Sequence, residues 1–448
     1  MKKYLFQALL LSLAIVMLVG CATPATLQPT AVPTVAASAT PEKPVTLKMI
    51  IWNNPPTVDI LTKINDEFHT KYPNITVDMS VETTADYWTV MPTRLSAADL
   101  DILLLQGFPS QVKDYMKGVE KPSWQNMVEG GQLMDLTGQS FLKNYDQTYL
   151  MTWGSFQNKV YTISGGSYAF TGVFYNKDLF AKYKVAVPTT WDEFVKACGT
   201  FKANNVDCMT TGAKDVWPLM VAGWGVQQAI YPDTEKALQG FWTGTVKFND
   251  AQAITAWTRM QQLLTFFEPG VAGIDNTSAP GRFATGNIAM YPAGTWDAPS
   301  IEKANPTMNY GYFPMPGSDN AADNKSMGVK SDSSFSIAGN SPNKEAALKW
   351  LDFFSQTSIY SEYVNAVGVL PSQPDATLTT KMGKEIAPYL PNLTAHLSVV
   401  WVSPKGVGAN ASAPFLASLF KPYGTFDDPK ALADAAQADW EAGVNASK

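Results

Sequence analysis

The sequence predicts an α/β protein of two domains, and three observations predict it. From Val45 to Leu105 the apolar pattern reads strand, helix, strand, helix, strand, the alternation that builds a parallel sheet covered by helices. Without its first 20 residues the chain of 448 keeps 428, too many for one ordinary domain and suited to two. After the opening segment no second long apolar run occurs, so the 46% of apolar residues are available for the cores of a soluble body.

The opening segment has its own grammar. Lys2 and Lys3 precede Leu5 to Leu18, which is almost wholly apolar, and Val19, Gly20 and Cys21 follow. A run of about 14 residues is too short to span a bilayer but fits a secretory signal. The Leu18-Val19-Gly20-Cys21 stretch resembles a bacterial lipoprotein lipobox. That resemblance implies cleavage after Gly20, lipidation of Cys21 and a place on the extracytoplasmic side of the cell membrane. Residues 21–44, rich in Ala, Thr, Ser and Val with Pro24, Pro29, Pro33, Pro41 and Pro44, lack the apolar surface to fold and read as an extended tether.

The folded body then begins. Val45 to Trp52 is a strand, and Asn53-Asn54-Pro55-Pro56 ends it. Thr57 to Tyr72 carries Val58, Leu61, Ile64 and Phe68 at helical spacing, with Thr57 as expected N-cap. Ile75 to Val81 alternates as a strand, Tyr87 to Ala98 is helical around Pro92, and Asp101 to Leu105 is a strand buried on both faces. Further strands are expected at Val160 to Ile163 and Thr171 to Tyr175. Between them Ser164-Gly165-Gly166-Ser167-Tyr168 reads as a flexible crossing between domains. Thr190 with Glu193 three residues on forms an expected capping box for the next helix, and Asp250 to Phe267 is another amphipathic helix.

Composition excludes several functions. The net charge is −6, and loss of Lys2 and Lys3 takes it to −8. With only Arg94, Arg259 and Arg282 as arginines, the chain is a poor partner for nucleic acid or for phosphate held in arginine forks. The two histidines, His69 and His396, stand beside Phe68 and Leu397 without His, Cys or Glu at metal spacing, so no zinc site, catalytic triad or cofactor is expected. Cys198 and Cys208 read either as a disulfide pair of an oxidising exterior or as two buried thiols.

The positive signal is aromatic. There are 13 Trp and 18 Tyr, and several trail loop-forming residues, as in Trp52-Asn53-Asn54, Gly223-Trp224-Gly225 and Gly294-Thr295-Trp296-Asp297. A flat aromatic beside short polar side chains matches the two aspects of a sugar ring, its apolar C–H face and its rim of hydroxyls. Parallel sheets bind ligands beyond the carboxyl ends of their strands. That nominates Trp52, Asn53 and Gln106.

Four segments then point to a family. They are Tyr175-Asn176-Lys177-Asp178-Leu179-Phe180 with Pro188 to Phe194; Phe283 to Met290 with Gly294-Thr295-Trp296; Tyr310 to Pro316; and Ser341 to Ala347. Together the chain resembles the family-1 extracellular solute-binding proteins of ABC importers, the group that includes maltose-binding protein. The resemblance implies a periplasmic-binding-protein-like fold of type II. It places residues 45–167 with 328–366 in one lobe and 168–327 with 367–448 in the other, with crossings near Ser167, Gly328 and Val367. It implies a carbohydrate between the lobes and an ABC permease as partner, and a monomer is expected. It implies that Trp296 stacks on the sugar, that Asp297 accepts its hydroxyls, and that Tyr168, Trp224, Asp332, Ser333 and Trp401 join Trp52, Asn53 and Gln106 around it. Trp191, Phe283, Ile288 and Met290 are expected to fill core, with Gly286 making a turn. Capture is expected rather than catalysis, since no short motif sets out the carboxylate pair of a glycosidase. Another solute, such as a polyamine or peptide, and a sugar-sensing lipoprotein are the alternatives.

Overall fold

The computed structural model describes residues 43–446; the expected signal segment, Cys21 and nearly all of the tether lie outside them. Val45–Trp52 pairs in parallel with Ile75–Glu82 and with Ile102–Leu105. Ser334–Ile337 joins antiparallel to Ile102–Leu105, and Ile163–Ser164 closes the far edge of this five-stranded sheet. All four residues of Ile102–Leu105 are buried, as expected for a central strand covered on both faces. The Pro55–Lys71 helix lays Leu61, Ile64 and Phe68 on the sheet, where Trp350, Phe354, Tyr363 and Val367 meet them.

A second sheet has the order Tyr310–Pro314, Gly172–Asn176, Ile288–Pro292, Asp207–Met209. Its largest core gathers Phe194, Phe201, Trp257, Phe415 and Trp440. Trp191 is buried there, and Phe283, Ile288 and Met290 are fully buried. Gly286 takes φ +83°, the left-handed turn expected of it. Cys198, on the Trp191–Ala203 helix, is joined by a disulfide to Cys208 on the Asp207–Met209 strand.

Between the two sheets run the crossing segments. Ser167–Ala169 pairs with Met327–Ser331, which also pairs with Leu393–Ala395. Ser167 and Leu370 exchange backbone hydrogen bonds of 2.8 Å in both directions. The Ser164–Tyr168 stretch is buried, with Gly165 N–H donating to Ser333 O at 3.1 Å and Gly166 N–H to the Ser164 hydroxyl at 2.9 Å. Its glycines serve close approach. A Cβ on Gly166, at φ +132°, would lie 2.6 Å from the Leu370 carbonyl oxygen.

Local expectations needed other corrections. Asn54, not Thr57, caps the first helix: its Oδ1 accepts from the Thr57 N–H and hydroxyl, and the prolines take the first turn, where no N–H is needed. Thr190 caps its helix as expected, but Glu193 reaches one residue further back and accepts from the Thr189 N–H and hydroxyl. The expected strand Val160 to Ile163 is split in two. Gln157 and Asn158, both at positive φ, turn Lys159–Val160 back onto Ser155–Phe156, and Ile163–Ser164 joins the large sheet.

Two segments pack away from their sequence neighbours. Residues 115–120 leave the first sheet and reach the second core: Met116 is buried in it, Glu120 N–H donates to Ser403 O at 2.9 Å and Lys405 N–H to Gly118 O at 2.7 Å. Val369 and Ala376 pack with the first core, and Met382 and Ile386 with Phe283 and Tyr310.

Candidate ligand cleft

A cleft of about 760 Å³ opens where the strand ends of the first sheet, the crossing segments and the Trp217–Ile230 helix face one another. Seven tryptophans line it: Trp52, Trp88, Trp124, Trp217, Trp224, Trp296 and Trp401.

On one wall, Trp52 ends its strand and stacks on Trp88 with centroids 5.8 Å apart, while Tyr87 meets it edge-on at 5.2 Å. Trp88 stays 42% exposed. Asn53 follows, its N–H held by the Glu82 carbonyl at 2.7 Å, so the loop leaves the sheet in a fixed direction. Gln106 stands exposed after Ile102–Leu105. Next to it a Cβ on Gly107 would fall 2.7 Å from Ser331 Cβ, so only glycine fits there. Trp124 stacks on Phe108 at 4.7 Å and donates its indole N–H to the Ser110 hydroxyl.

On the opposite wall, Trp224 is half-buried in the middle of its helix and donates its indole N–H to Pro414 O at 3.0 Å. His396 fixes that helix from behind. Its Nε2 lies 3.2 Å from Trp224 O, while Nδ1 accepts from the Ser398 N–H, so the ring is a neutral donor at Nε2. Burial pushes its pKa down to about 3 against that bond. Trp401 rests on Phe241 and Trp440, and its buried indole N–H finds no partner among the described residues.

The floor is formed at the crossings. Tyr168, 3% exposed, meets Trp296 edge-on at 5.6 Å. Burial pushes the Tyr168 hydroxyl far up, so it stays a neutral donor. Ser333, at φ +55°, turns the chain after Asp332, whose carboxylate is 2.7 Å from Lys330 Nζ.

Nine of the ten residues expected around a ligand line this cleft: Trp52, Asn53, Gln106, Tyr168, Trp224, Trp296, Asp332, Ser333 and Trp401. Asp297 does not. It is 4% exposed and accepts from the Tyr291 hydroxyl at 2.7 Å, behind the cleft wall, where burial pushes its pKa up to about 7. The turn Thr295–Asp297 sends Trp296 and Asp297 to opposite sides, so adjacency in sequence did not carry over to the site. Trp296 itself is only 7% exposed, packed by Phe170, Trp217 and the Lys330 ammonium. It is a structural centre of the cleft as much as a face of it.

Trp88, Trp124, Trp217, Asp215 and Lys330 also line the cleft, and sequence reasoning missed them. Trp88 sits within a helical pattern that reads as interior, and nothing in the strand around Lys330 marks it. Only Trp217, just after Lys214-Asp215-Val216, carries a loop-edge signal that could have found it. Among the described residues no group of three or more His, Cys, Asp or Glu is placed to hold a metal ion, and no helix is long and apolar enough to cross a membrane.

The family model for bacterial extracellular solute-binding protein matches residues 54–358. The "Multiple sugar-binding protein" of Streptococcus mutans is 24% identical over 317 residues, 69% of this chain and 70% of that protein. Among solved structures, the raffinose complex of the binding protein RafE superposes with a TM-score of 0.74 at 19% identity, covering 89% of this chain and 99% of that one. A chitin oligosaccharide binding protein gives 0.72 at 20% identity, covering 90% and 99%.

Proposed function

We propose, from the premise that the chain belongs to the bacterial extracellular solute-binding protein family, that it captures a mono- or oligosaccharide between its lobes and delivers it to the permease of an ABC importer. The observation that carries this reading is the cleft lined by seven tryptophans from both walls, interleaved with the amides of Asn53 and Gln106 and the hydroxyls of Tyr168 and Ser333. Indole faces bury the C–H faces of sugar rings, and the amides and hydroxyls meet ring hydroxyls that would each cost about 1–3 kcal/mol if left unpaired. The similar solved proteins include one in complex with raffinose, one with stachyose and one with maltose bound, which fits the same ligand class. A polyamine would want free clustered carboxylates, whereas Asp332 is already paired with Lys330.

The lobes turn about the crossing strands, and closure brings the two tryptophan walls onto the ligand. The first lobe takes the five-stranded sheet and the second takes the four-stranded one. Cys21 carries lipid that holds the protein at the outer side of the cell membrane, within reach of its permease. The role is capture, with no bond made or broken.

A thermal-shift screen with maltose, raffinose, stachyose and chitin oligosaccharides tests the reading. A ligand at 100 times its Kd adds about 2.7 kcal/mol to the folded state and raises the melting temperature. No shift with any glycan, together with a shift for a polyamine or peptide, would overturn it. Cys21→Ser should release the protein from membranes; persistent membrane association would remove the lipid anchor from the scheme.

A further inference from the structure

Three charged side chains line the cleft: Asp215, Lys330 and Asp332. Asp215 stands at the exposed rim and accepts the Asn276 N–H at 2.7 Å. The other two meet on the floor. The Lys330 ammonium is 2.7 Å from the Asp332 carboxylate and 4.7 Å from the centre of the Trp296 ring, with side chains only 20% and 7% exposed. Lys330 thus has both a counterion and an aromatic face, and Asp332 has its charge compensated. Buried to this degree, each partner would be costly alone.

We infer that Lys330 and Asp332 act as a charge selector, admitting uncharged glycans and rejecting those that carry uronate or amino groups. This rests on the carbohydrate reading above and narrows its ligand class. An incoming sugar carboxylate that reaches Lys330 has to share the ammonium with Asp332, which brings two like charges together on the buried floor. An incoming ammonium meets the Lys330 charge and finds the Trp296 face taken. A neutral hydroxyl disturbs nothing. An ammonium has three N–H donors, of which Asp332 takes one, and an ionised carboxylate has about four acceptor positions, so both keep capacity for hydroxyl groups without breaking the pair.

The test is isothermal titration of the whole mature chain with a fixed panel. The neutral members are raffinose, stachyose, maltotriose and N-acetylated chitotriose. The charged members are the galacturonic acid trimer and the fully deacetylated glucosamine trimer. Wild type is expected to bind at least one neutral sugar and to bind both charged trimers at least about tenfold more weakly. Asp332→Asn leaves Lys330 unpaired and should gain the galacturonate trimer by about tenfold or more; Lys330→Gln should gain the glucosamine trimer likewise. If either single variant fails to fold, the double variant Lys330→Gln with Asp332→Asn, which buries no unpaired charge, decides: its preference for neutral over charged trimers should shrink by about tenfold. Neutral-sugar binding by wild type with the same panel profile in the folded variants overturns the selector and leaves the carbohydrate reading standing. Wild type that binds a charged trimer as tightly as any neutral sugar also overturns the selector. Wild type that binds no glycan overturns both.

Discussion

Replacing Asp297 by Asn should stabilise this protein above neutral pH and change nothing in acid. The side chain is 4% exposed, accepts one hydrogen bond from Tyr291 and sits among aromatic residues. Burial raises its pKa from 3.8 to about 7, although the Tyr291 hydroxyl and the Trp296 indole both favour the charged form. The sign follows from proton counting. Between pH 3.8 and 7 the folded protein holds this proton and the unfolded chain has released it, so the fold loses stability as pH rises through that window and then levels off. At about 1.4 kcal/mol per pH unit the gap amounts to a ceiling of about 4 kcal/mol, and relaxation of the site brings it to about 2–4 kcal/mol. Asn has the shape of the protonated acid and still accepts from Tyr291, so it removes the proton uptake without removing the bond. With about 2.1 cal/mol/K of unfolding entropy per residue, the gain is about 2–5 °C. Calorimetry of both proteins without ligand at pH 4 and pH 8 measures it: melting temperatures should coincide at pH 4 and separate at pH 8, with the Asp297→Asn variant the higher. A constant difference at both pH values, or a loss at pH 8, would refute the assignment of a buried, proton-holding acid. Glycan affinity should change little, because Asp297 is behind the cleft wall.

His396 works in the opposite direction on the acid side. Its folded pKa of about 3 lies below the ordinary 6.5, so the unfolded chain takes up the proton first and stability falls as pH drops from 6.5, by about 2 kcal/mol at pH 5; urea unfolding of wild type and His396→Gln should give a flatter profile for the variant, and parallel profiles would sink the assignment. Trp296→Ala removes a ring packed by Tyr168, Phe170 and Trp217 and should cost about 3–5 kcal/mol of ligand-free stability, contrary to the behaviour of an exposed platform. Trp88→Ala, by contrast, should leave the melting temperature within about 1 °C while weakening oligosaccharide binding; a large loss of stability would show that Trp88 is core. Replacing residues 113–120 by a short Gly-Ser linker removes two backbone hydrogen bonds to Ser403 and Lys405, each worth about 1 kcal/mol. That should favour the opened cleft about thirtyfold and speed both binding and release in stopped-flow tryptophan fluorescence, with unchanged rates as the refuting result.

The strand–helix alternation of the first hundred residues, the buried Ile102–Leu105 strand, the core roles of Phe283, Ile288 and Met290 and the Gly286 turn were all legible in the sequence. They depend on local periodicity, on apolar side chains seeking burial and on φ restrictions, each a property of a few neighbouring residues. The strand-end positions of Trp52, Asn53 and Gln106 were legible for the same reason, and the family resemblance supplied the other six of the nine nominated residues that line the cleft. What the sequence could not decide was direction and partnership. A three-residue turn sends Trp296 into the cleft and Asp297 behind it. The middle of a helix turns Trp88 outward onto Trp52, 36 residues away in the chain. Lys330 and Asp332 form an ion pair on Trp296 because the crossing strand and a turn more than 30 residues earlier converge there. Residues 115–120 find their partners near 404, at the second core, through backbone groups that carry no sequence signature. Periodicity fixes which residues are buried; only the closing of distant segments on one another decides which buried and half-buried residues meet, and that meeting makes the site.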